Sequence, residues 1–411
     1  MRVDTLDILR CPFCGTRLQV VDNPALVRTG DRIDAGVLGC ECCAFPVIDG
    51  IPILIASDTA RNAMHLLEAG KADAALHMAL GLDDEARVEA FRRFVASGEA
   101  MTYRQGVKIL SVDAEAEYFV YRFSDPTFRV GRAVVQACGT LMGRAGRYID
   151  LCGGSGHLTR SMISNEPAVL ADFFFWKLWL AKRFVAPACE PICCDANSPL
   201  PFARDTFSMV VLSDAFPYLW HKRLVADEMM RLAGEQGVIV MPHLHSSLGW
   251  NWTAGMPLTP AAYRDLLEPR QPRLYRDSAL LEQVLNGYVD LTSDEQADAL
   301  DGEPALVIVA SRDPSVFRNV PLPWTPPAPD TLIVNPLYRI AVNSHESVLT
   351  LAFPTEEYGQ EFEAVKRYLP ETVTVPGNLT TDGIDLRLIG NERFEDLCRR
   401  MVFIAAPERY V

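Results

Sequence analysis

The stretch Arg147–Leu158, RYIDLCGGSGHL, decides the fold of this 411-residue chain. It begins with a short apolar run that suits a buried strand of a parallel sheet and carries Asp150 near its end. Three glycines then allow a sharp turn and a close approach of the backbone to a ligand. A helix over 158–164 would present its first N–H groups to polar or anionic groups of that ligand. The glycines of the turn are Gly153, Gly154 and Gly156.

The spacing of these glycines separates the turn from two other phosphate-binding turns. No Gly-Lys-Ser/Thr follows, which excludes a P-loop. The sequence GGSG is too compact for the G-x-G-x-x-G fingerprint of dinucleotide-binding folds. On its own, the turn also fits an ordinary connection between a strand and a helix.

Four further apolar runs follow the turn, and acidic residues come directly after three of them. Helical stretches over Phe173–Val185 and Lys222–Ala233 separate most of the runs. This alternation predicts an α/β fold with a doubly wound parallel sheet, which binds ligands at the carboxyl ends of its strands. The runs are Ala168–Ala171 before Asp172, Pro191–Cys194 before Asp195, Met209–Leu212 before Ser213 and Asp214, and Val238–Met241.

In the order and spacing of these pieces, residues 147–241 resemble the core of the class I S-adenosylmethionine (SAM)-dependent methyltransferases, particularly the ubiquinone/menaquinone-type branch. The matching segments are IDLCGGSGHL, VLADF, CCDANSPLPFARDTFSMVVLSDAFPYL and EMMRLAGEQGVIVM. The resemblance extends through ALVIVA at 305–310, which is similar to the final antiparallel strand of that fold. It implies a Rossmann-like sheet with an antiparallel last strand, and SAM as the cofactor.

The same resemblance implies a role for each strand-end acid. Asp150 would orient the ammonium of the SAM amino-acid tail, and Asp172 would accept hydrogen bonds from both ribose hydroxyls. Asp195 would accept from the adenine amino group. The alternative for such acids is a helix-capping role. The predicted cofactor-binding residues are Asp150, Gly153, Gly154, Gly156, Asp172, Asp195, Ala196 and Ser213.

Candidates for catalysis lie in the loops after the fourth and fifth strands, which open over the cofactor in this fold. Methyl transfer needs an aligned nucleophile, and a base only when an oxygen or carbon acceptor must lose a proton. Surface or packing roles remain the alternative for each histidine. Two of the histidines flank Leu244 and suggest a metal site, but the nearby sequence shows no third ligand. The candidates are Asp214, Tyr218, His221, His243 and His245.

Residues 1–56 carry two cysteine pairs, CPFC at 11–14 and CECC at 40–43. Two pairs about 25 residues apart fit a tetrahedral structural zinc site, in which four thiolates leave no open position. Cys42 and Cys43 compete for the fourth place, and buried free thiols are the other alternative. The predicted zinc ligands are Cys11, Cys14, Cys40 and Cys43.

The segments LDILRCPFCGTRLQV and LGCECCAFPVIDGIPIL resemble the small zinc-binding activator subunits of tRNA, rRNA and protein methyltransferases, and their short bacterial relatives. The second cysteine pair lies closer to Phe45-Pro46 than is usual in that family, which leaves the ligand set open. Because the activator is a separate subunit in those systems, its fusion here implies docking within one chain. Ile51–Leu54 is the predicted apolar docking edge.

The chain divides into four predicted segments. A zinc-binding module over 1–56 is followed by a helical segment over 57–124 that would cover the cofactor. The methyltransferase domain spans 125–312, and a stiff proline-rich linker over 321–329 follows it. An α+β module over 330–411 ends the chain, and it would recognise substrate, form a homo-oligomer or pack on the zinc module.

The amino-acid composition restricts the classes of binding partner and the cellular compartment that we expect for the protein. A net charge of −14 argues against a broad nucleic-acid surface, although a local basic patch stays open. The most apolar helical segment, FFFWKLWLAKRF, is too short and too charged to span a bilayer. Eleven cysteines without a secretory signal indicate reduced thiols and a cytoplasmic protein.

Three functions therefore remain open at the level of sequence. The first is methyl transfer to a small, biosynthetic acceptor, which the acidic composition and the C-terminal module favour. The second is methylation of RNA or protein, which the relatives of the zinc module suggest. The third is a scaffold that keeps a methyltransferase fold without activity, and the intact strand-end acids and glycines argue against it.

Overall fold

The computed structural model describes residues 1–111, 115–143, 146–162, 164–325, 331–377, 379 and 391–411. Its N-terminal module is a small antiparallel sheet formed by β1 (Gln19–Val21), β2 (Val27–Thr29), β3 (Arg32–Gly39), β4 (Ala44–Ile48) and β5 (Ile51–Pro52). The long strand β3 pairs with β1, β2 and β4, and β4 pairs with β5.

A helical segment joins this module to the central sheet. Its helices start at side chains that cap free N–H groups: Ser57 accepts from the amide of Ala60, and Asp125 accepts from the amide of Phe128. Pro126 at the first position of the last helix suits this start, since its ring fixes a helical φ. The helices are α1 (Asp58–Glu68), α2 (Ala72–Ala79), α3 (Glu85–Ala96), α4 (Tyr103–Leu110), α5 (Glu115–Tyr121) and α6 (Pro126–Met142).

The next part of the chain alternates strands and helices. The strands are β6 (Arg147–Leu151), β7 (Val169–Asp172), β8 (Glu190–Cys193), β9 (Phe207–Leu212), β10 (Val238–His245), β11 (Pro272–Arg276), β12 (Tyr288–Asp290), β13 (Ala305–Ala310) and β14 (Asn319–Pro321). The helices are α7 (Phe175–Leu180), which continues as a π turn over Ala181–Val185, α8 (Lys222–Ala233), α9 (Pro260–Leu267) and α10 (Asp277–Leu285).

Seven of these strands form the central sheet in the order β11-β13-β10-β9-β6-β7-β8. The five strands from β10 to β8 are parallel, and β13 runs antiparallel to both β10 and β11. β12 and β14 form a separate pair. The observed topology confirms the doubly wound α/β sheet with an antiparallel last strand, the class I methyltransferase fold that the resemblance predicts.

The N-terminal module docks on the open edge of this sheet. Ile53 forms a parallel bridge with Cys193 of β8, and the amide of Leu54 donates to the carbonyl of Cys193 over 2.8 Å. Leu9 bridges Phe202 on the other side of the module. The segment predicted as a docking edge thus covers the edge strand β8, whose backbone groups would otherwise remain unpaired.

The C-terminal module contains β15 (Leu332–Val334), β16 (Tyr338–Val342), β17 (Glu346–Leu351), α11 (Glu356–Glu361), β18 (Thr372–Pro376), α12 (Asn391–Arg399) and β19 (Phe403–Ala405). It packs on the helical segment and on the glycine turn. The ring of Tyr410 stacks on Tyr103 of α4, and its hydroxyl lies 2.9 Å from Nε2 of the buried His157. The hydroxyl of Tyr368 donates to the carbonyl of Ser124 over 3.0 Å.

Three local predictions differ from the structure. A single 3₁₀ turn over Thr159–Ser161 replaces the predicted helix 158–164, because a bend and Pro167 lead directly into β7. The pattern of TLIVNPLYRIAV predicts one strand paired with SVLTLAFP, but it splits into β15 and β16, and β15 pairs with β19 instead of β17. The pattern of ERFEDLCRRMVFI predicts one helix, but α12 ends at Arg399, and Phe403 and Ile404 belong to β19.

Residues 326–330 of the predicted linker and residue 163 of the predicted helix lie outside the described residues. Among the helices that the structure describes, none has the length and apolar character needed to cross a bilayer.

Candidate functional site

Polar side chains gather at the edge where the parallel strands end. β6, β7, β9 and β10 run in the same direction, so Asp150, Asp172, Asp214 and His243 come to one edge of the sheet. The backbone there is strained: Cys152, Asp214 and His243 have φ values of 55°, 61° and 53°. Positive φ costs energy for residues other than glycine, and such strain clusters at functional sites.

Asp150 is fully buried beneath the glycine turn. Its Oδ2 accepts from Oγ1 of Thr159 over 2.6 Å, while its Oδ1 has no hydrogen-bond partner among the described residues. A Cβ at Gly153 would lie 2.6 Å from the Asp150 carboxyl carbon, so the turn packs directly on this acid only as glycine. Burial raises the pKa of Asp150 to about 7, against the hydrogen bond from Thr159. A cationic ligand group beside Oδ1 would relieve this cost.

A first prediction follows from the raised pKa. The folded state keeps a proton on Asp150 between its ordinary pKa near 4 and about 7, so this carboxyl makes folding less favourable as pH rises through that window. The penalty at pH 8 is of the order of 4 kcal/mol. Asp150→Asn, which mimics the protonated form, should therefore gain stability over the unsubstituted protein at pH 8 and less than half as much at pH 5. Thermal melting of the ligand-free proteins checks this, and an equal gain at both pH values would contradict it.

Asp172 ties the glycine turn to the end of β7. Its Oδ2 accepts from the amide of Gly154 and its Oδ1 from the amide of Phe174, each over 2.9 Å. Gly154 has a φ of 56°, and a Cβ there would meet the Phe119 ring at 2.9 Å. The carboxylate is thus fixed in orientation at the carboxyl end of its strand.

Beside this acid lies a cavity of about 480 Å³, within the size range of small-molecule pockets. Phe173 and Phe174, which follow Asp172, line one wall, and Cys193 at the end of β8 lines another. Ile53 and helices α1 and α2 close the far side. The N-terminal module therefore lines part of a cavity at the edge of the sheet where the parallel strands end.

The remaining predicted cofactor residues lie at the ends of β8 and β9. Asp195 is half-buried, and its Oδ1 accepts from the amide and the side chain of Asn197. Ala196 is buried, and Ser213 is half-buried directly after β9. Asp195 thus also organises the local turn, as the capping alternative requires.

Asp214, His243 and His245 form a compact cluster. One ligand atom from each lies within 4.8 Å of the others. Nε2 of His245 is 3.3 Å from Oδ1 of Asp214, and the two imidazole ring centres are 4.8 Å apart. A bulge in the pairing of β10 with β13 between Met241 and Leu244 accompanies this arrangement. Asp214 is the third member that sequence alone did not connect with the two histidines.

Residues from other segments surround the cluster. Tyr118 donates to Oδ2 of Asp214 over 2.6 Å, and Arg122 lies 3.7 Å from the same oxygen. Arg122 also pairs with Asp125 over 3.1 Å. Oδ2 of Asp277, the first residue of α10, lies 3.6 Å from Nδ1 of His243.

The charges of this pocket influence one another. Burial would raise the pKa of Asp214, but the hydrogen bond with His245 and the cationic His243 and Arg122 hold it below its ordinary value. Burial would lower the pKa of His243, but Asp277 and Asp214 raise it to about 9. Burial and the charge of Asp214 raise the pKa of Glu361. Glu361 of the C-terminal module therefore lies within electrostatic range of Asp214, which no sequence motif indicated.

Two other catalytic candidates lie outside this cluster. Tyr218 is 53% exposed, and its hydroxyl accepts from Thr253 over 3.2 Å. His221 is exposed, and its Nδ1 lies 2.9 Å from the carbonyl of Asn197. The structure therefore brings His243 and His245 together with Asp214 and leaves Tyr218 and His221 on the rim.

Four cysteine sulfurs converge in the N-terminal module. They belong to Cys11, Cys14, Cys40 and Cys42, and all lie within 4.8 Å of one another. The separations are 3.9 Å for Cys11 and Cys42, and 3.7 Å both for Cys14 and Cys40 and for Cys40 and Cys42. Four zinc–sulfur bonds of about 2.3 Å at tetrahedral angles place sulfurs about 3.8 Å apart, so the set fits zinc.

Cys43, the predicted fourth ligand, lies outside this set. Its amide donates to the sulfur of Cys40 over 3.2 Å, and its own sulfur contacts that of Cys42 at 3.3 Å. Because Cys43 leads directly into β4, its backbone supports the cluster while Cys42 supplies the thiol. The open alternative, Cys42, is the residue that the structure places among the four.

No protein-family model and no curated protein matches this sequence. Solved structures with a similar central part include a chain of the complex between the Haloferax volcanii Trm112 methyltransferase activator and a methyltransferase. It is 14% identical, with 43% of this chain and 88% of that chain covered and a TM-score of 0.30. A TehB-like SAM-dependent methyltransferase from Corynebacterium glutamicum is 18% identical, with coverages of 44% and 88% and a TM-score of 0.29. A SAM-dependent methyltransferase from Aquifex aeolicus is 12% identical, with coverages of 47% and 97% and a TM-score of 0.32.

Proposed function

We propose that the protein is a SAM-dependent methyltransferase that methylates a small, biosynthetic acceptor by in-line displacement. The observation that carries the proposal is the glycine turn, which closes directly on Asp150 and is tied to Asp172 at the carboxyl edge of the sheet. A doubly wound sheet binds its ligand at this edge. The polar cluster of Asp214 and the two histidines lies at the same edge, where an acceptor can face the cofactor.

The proposed cofactor contacts begin at the two strand-end acids beside the glycine turn. The unpartnered Oδ1 of Asp150 would accept from the SAM ammonium. Asp172, which accepts from the amides of Gly154 and Phe174 at the end of β7, would accept from the ribose hydroxyls. Asp195 and the amide of Ala196 would bind adenine, with Ser213 and Gly156 completing the contact surface. The cofactor supplies an electrophilic methyl group on its sulfonium, and the chain orients it.

The acceptor would be held by the pocket around Asp214, His243 and His245. Its nucleophile needs alignment, exclusion of water and, for an oxygen or carbon acid, loss of a proton. Tyr118 and Arg122 of the helical segment border this pocket, which suits a small molecule. The net charge of −14 also disfavours RNA as the acceptor.

The zinc site is proposed as a structural site with Cys11, Cys14, Cys40 and Cys42 as ligands. Four thiolates fill the coordination shell of zinc, so the ion has no open position for a substrate. Its role would be to hold the module that covers β8. We propose that the eleven cysteines stay reduced, four of them as zinc ligands, in a cytoplasmic environment.

Calorimetric titration with SAM and with its demethylated product, S-adenosylhomocysteine, tests the proposal. Both compounds should bind the folded protein with about one site per chain and micromolar affinity, in the range common for enzyme ligands. NAD serves as a control, because the compact glycine turn does not provide the dinucleotide fingerprint. Mass spectrometry of small acceptors incubated with SAM would then identify the substrate. Absence of binding by both compounds in folded protein would favour the scaffold function.

A further inference from the structure

We propose that Asp214, His243 and His245 bind a divalent transition-metal ion, and that this ion chelates the acceptor through two oxygen atoms. The metal site stands on the geometry of the cluster, whereas the chelated acceptor rests on the proposed methyltransferase function. Two imidazoles and one carboxylate form a ligand set that leaves coordination positions open for a substrate.

The distances are compatible with one ion. Nε2 of His245 and Oδ1 of Asp214 are 3.3 Å apart, and one atom from each of the three residues lies within 4.8 Å of the others. Metal–ligand bonds of about 2.1 Å at right angles place neighbouring ligand atoms about 3.0 Å apart. The ligand atoms of His245 and Asp214 therefore need to approach by a few tenths of an ångström, and those of the widest pair by at most about 1.8 Å.

The surroundings place a supporting group beside two of the three ligands, as is typical of metal sites. Metal-bound histidines usually donate their second nitrogen to a carboxylate, and metal-bound carboxylates accept further hydrogen bonds. Oδ2 of Asp277 lies 3.6 Å from the unpartnered Nδ1 of His243, so a small approach would pair these atoms while Nε2 of the ring binds the ion. Tyr118 donates to Oδ2 of Asp214, which leaves Oδ1 for the ion.

Burial and charge also favour a bound cation. His245 is only 6% exposed, and its Nδ1 has no hydrogen-bond partner among the described residues. Two carboxylates besides Asp214, those of Asp125 and Asp277, contact the residues of this pocket, and Glu361 lies within electrostatic range. Arg122 and the protonated His243 are the cations that face them when no metal is bound. A dication bound to neutral His243 and His245 would offset the remaining negative charge of this buried site.

The ion would make it easier for the acceptor hydroxyl to lose its proton. An acceptor hydroxyl bound to a divalent ion has a lowered pKa and loses its proton to solvent. A lone pair of the metal-bound oxygen then attacks the SAM methyl carbon while the carbon–sulfur bond breaks. The products are the methyl ether and S-adenosylhomocysteine, and the ion keeps its charge. Acceptors with two adjacent oxygens, such as vicinal diols, catechols or hydroxy-carbonyl compounds, fit the open positions.

Titration of the full chain with Mn²⁺, followed by the electron paramagnetic resonance signal of the free ion, tests the site. Mn²⁺ prefers nitrogen and oxygen ligands and leaves a zinc-loaded thiolate site undisturbed. We expect about one Mn²⁺ per chain in the unsubstituted protein. Asp214→Asn and His243→Asn should each weaken binding more than about 100-fold, and both keep a residue type that tolerates positive φ. Asp277→Asn should weaken it about 10- to 100-fold at unchanged stoichiometry.

His65→Asn, an exposed position on α1, is the matched control and should bind Mn²⁺ like the unsubstituted protein. Calorimetry with Co²⁺ and Ni²⁺ repeats the comparison. The proposal is overturned if none of the three ions binds folded protein, or if the Asp214 and His243 variants bind undiminished. SAM titration is read separately: SAM binding without metal binding removes only the metal site, whereas metal binding without SAM binding removes only the methyltransferase function.

Discussion

Asp172→Ala is expected to abolish measurable SAM binding while the protein stays folded. The variant would lose two hydrogen bonds from ribose hydroxyls to a charged acceptor, each worth about 1.5–3 kcal/mol. Their combined loss corresponds to an affinity reduction of about 10²- to 10⁴-fold. Alanine also removes the acceptor that holds the amide of Gly154, so the glycine turn loses its anchor as well. Calorimetric titration with SAM measures the effect, and circular dichroism checks the fold.

Two further variants separate cofactor binding from local structure. Asp172→Asn keeps a side-chain oxygen that can accept one N–H but removes the negative charge, so an intermediate loss is expected. Asp290→Ala is the matched control: Asp290 also ends a strand and accepts from the amide two residues later, over 2.9 Å, but lies outside the central sheet. Its SAM affinity should be unchanged. Equal SAM affinity in Asp172→Ala and the unsubstituted protein would remove Asp172 from the cofactor site.

The sheet was predictable from sequence because buried parallel strands are nearly continuous apolar runs. The run at 305–310 matches β13 residue for residue, and α8 matches the predicted Lys222–Ala233. The predicted helix after the glycine turn was wrong: the structure has a 3₁₀ turn over Thr159–Ser161, and a local pattern does not reveal where the chain leaves the helical conformation before β7. The pairing of β15 with β19 joins residues about seventy positions apart, which no local pattern encodes.

Only those residues of the candidate site that lie at the ends of parallel strands were predictable from the sequence. Asp150 and Asp172 followed from the rule that parallel strands end at one edge, and the same rule would have brought Asp214 to the two histidines of β10. Asp277 and Glu361 were not predictable, because only the tertiary fold brings α10 close to His243 and Glu361 within electrostatic range of Asp214. The choice between Cys42 and Cys43 also depended on side-chain direction, which adjacent residues before a strand do not share.

The N-terminal module contacts the central sheet. The proposed zinc ligands should therefore affect more than the stability of the module itself. The module covers β8 through Ile53 and Leu54, and it lines the cavity beside Asp172. Asp49 of the module also forms an ion pair with Arg183, which follows α7. Loss of the proposed zinc site should therefore destabilise the edge of the sheet. It should also change the shape of the cavity beside Asp172.

Cys42→Ser is expected to lose the bound zinc and to unfold the module, whereas Cys43→Ser should retain both. Structural zinc contributes about 10–16 kcal/mol of binding free energy in small zinc modules, which is more than a sheet of five short strands stabilises alone. Elemental analysis should find about one zinc per chain in the unsubstituted protein and in Cys43→Ser, and almost none in Cys42→Ser. Both variants exchange a cysteine sulfur for a serine oxygen, at neighbouring positions. A general effect of losing a thiol would therefore appear in both.

Hydrogen exchange in Cys42→Ser also tests whether the N-terminal module stabilises the edge strand β8. If the module holds β8 in place, Cys42→Ser should expose the backbone of β8, and hydrogen exchange at Cys193 and its neighbours should become faster. β11 at the opposite edge of the sheet should keep its protection, which separates local release from global unfolding. Full zinc content in Cys42→Ser, together with zinc loss in Cys43→Ser, would restore Cys43 as the fourth ligand. Zinc loss without any change at β8 would instead show that the sheet edge is stable by itself and that the module serves another purpose.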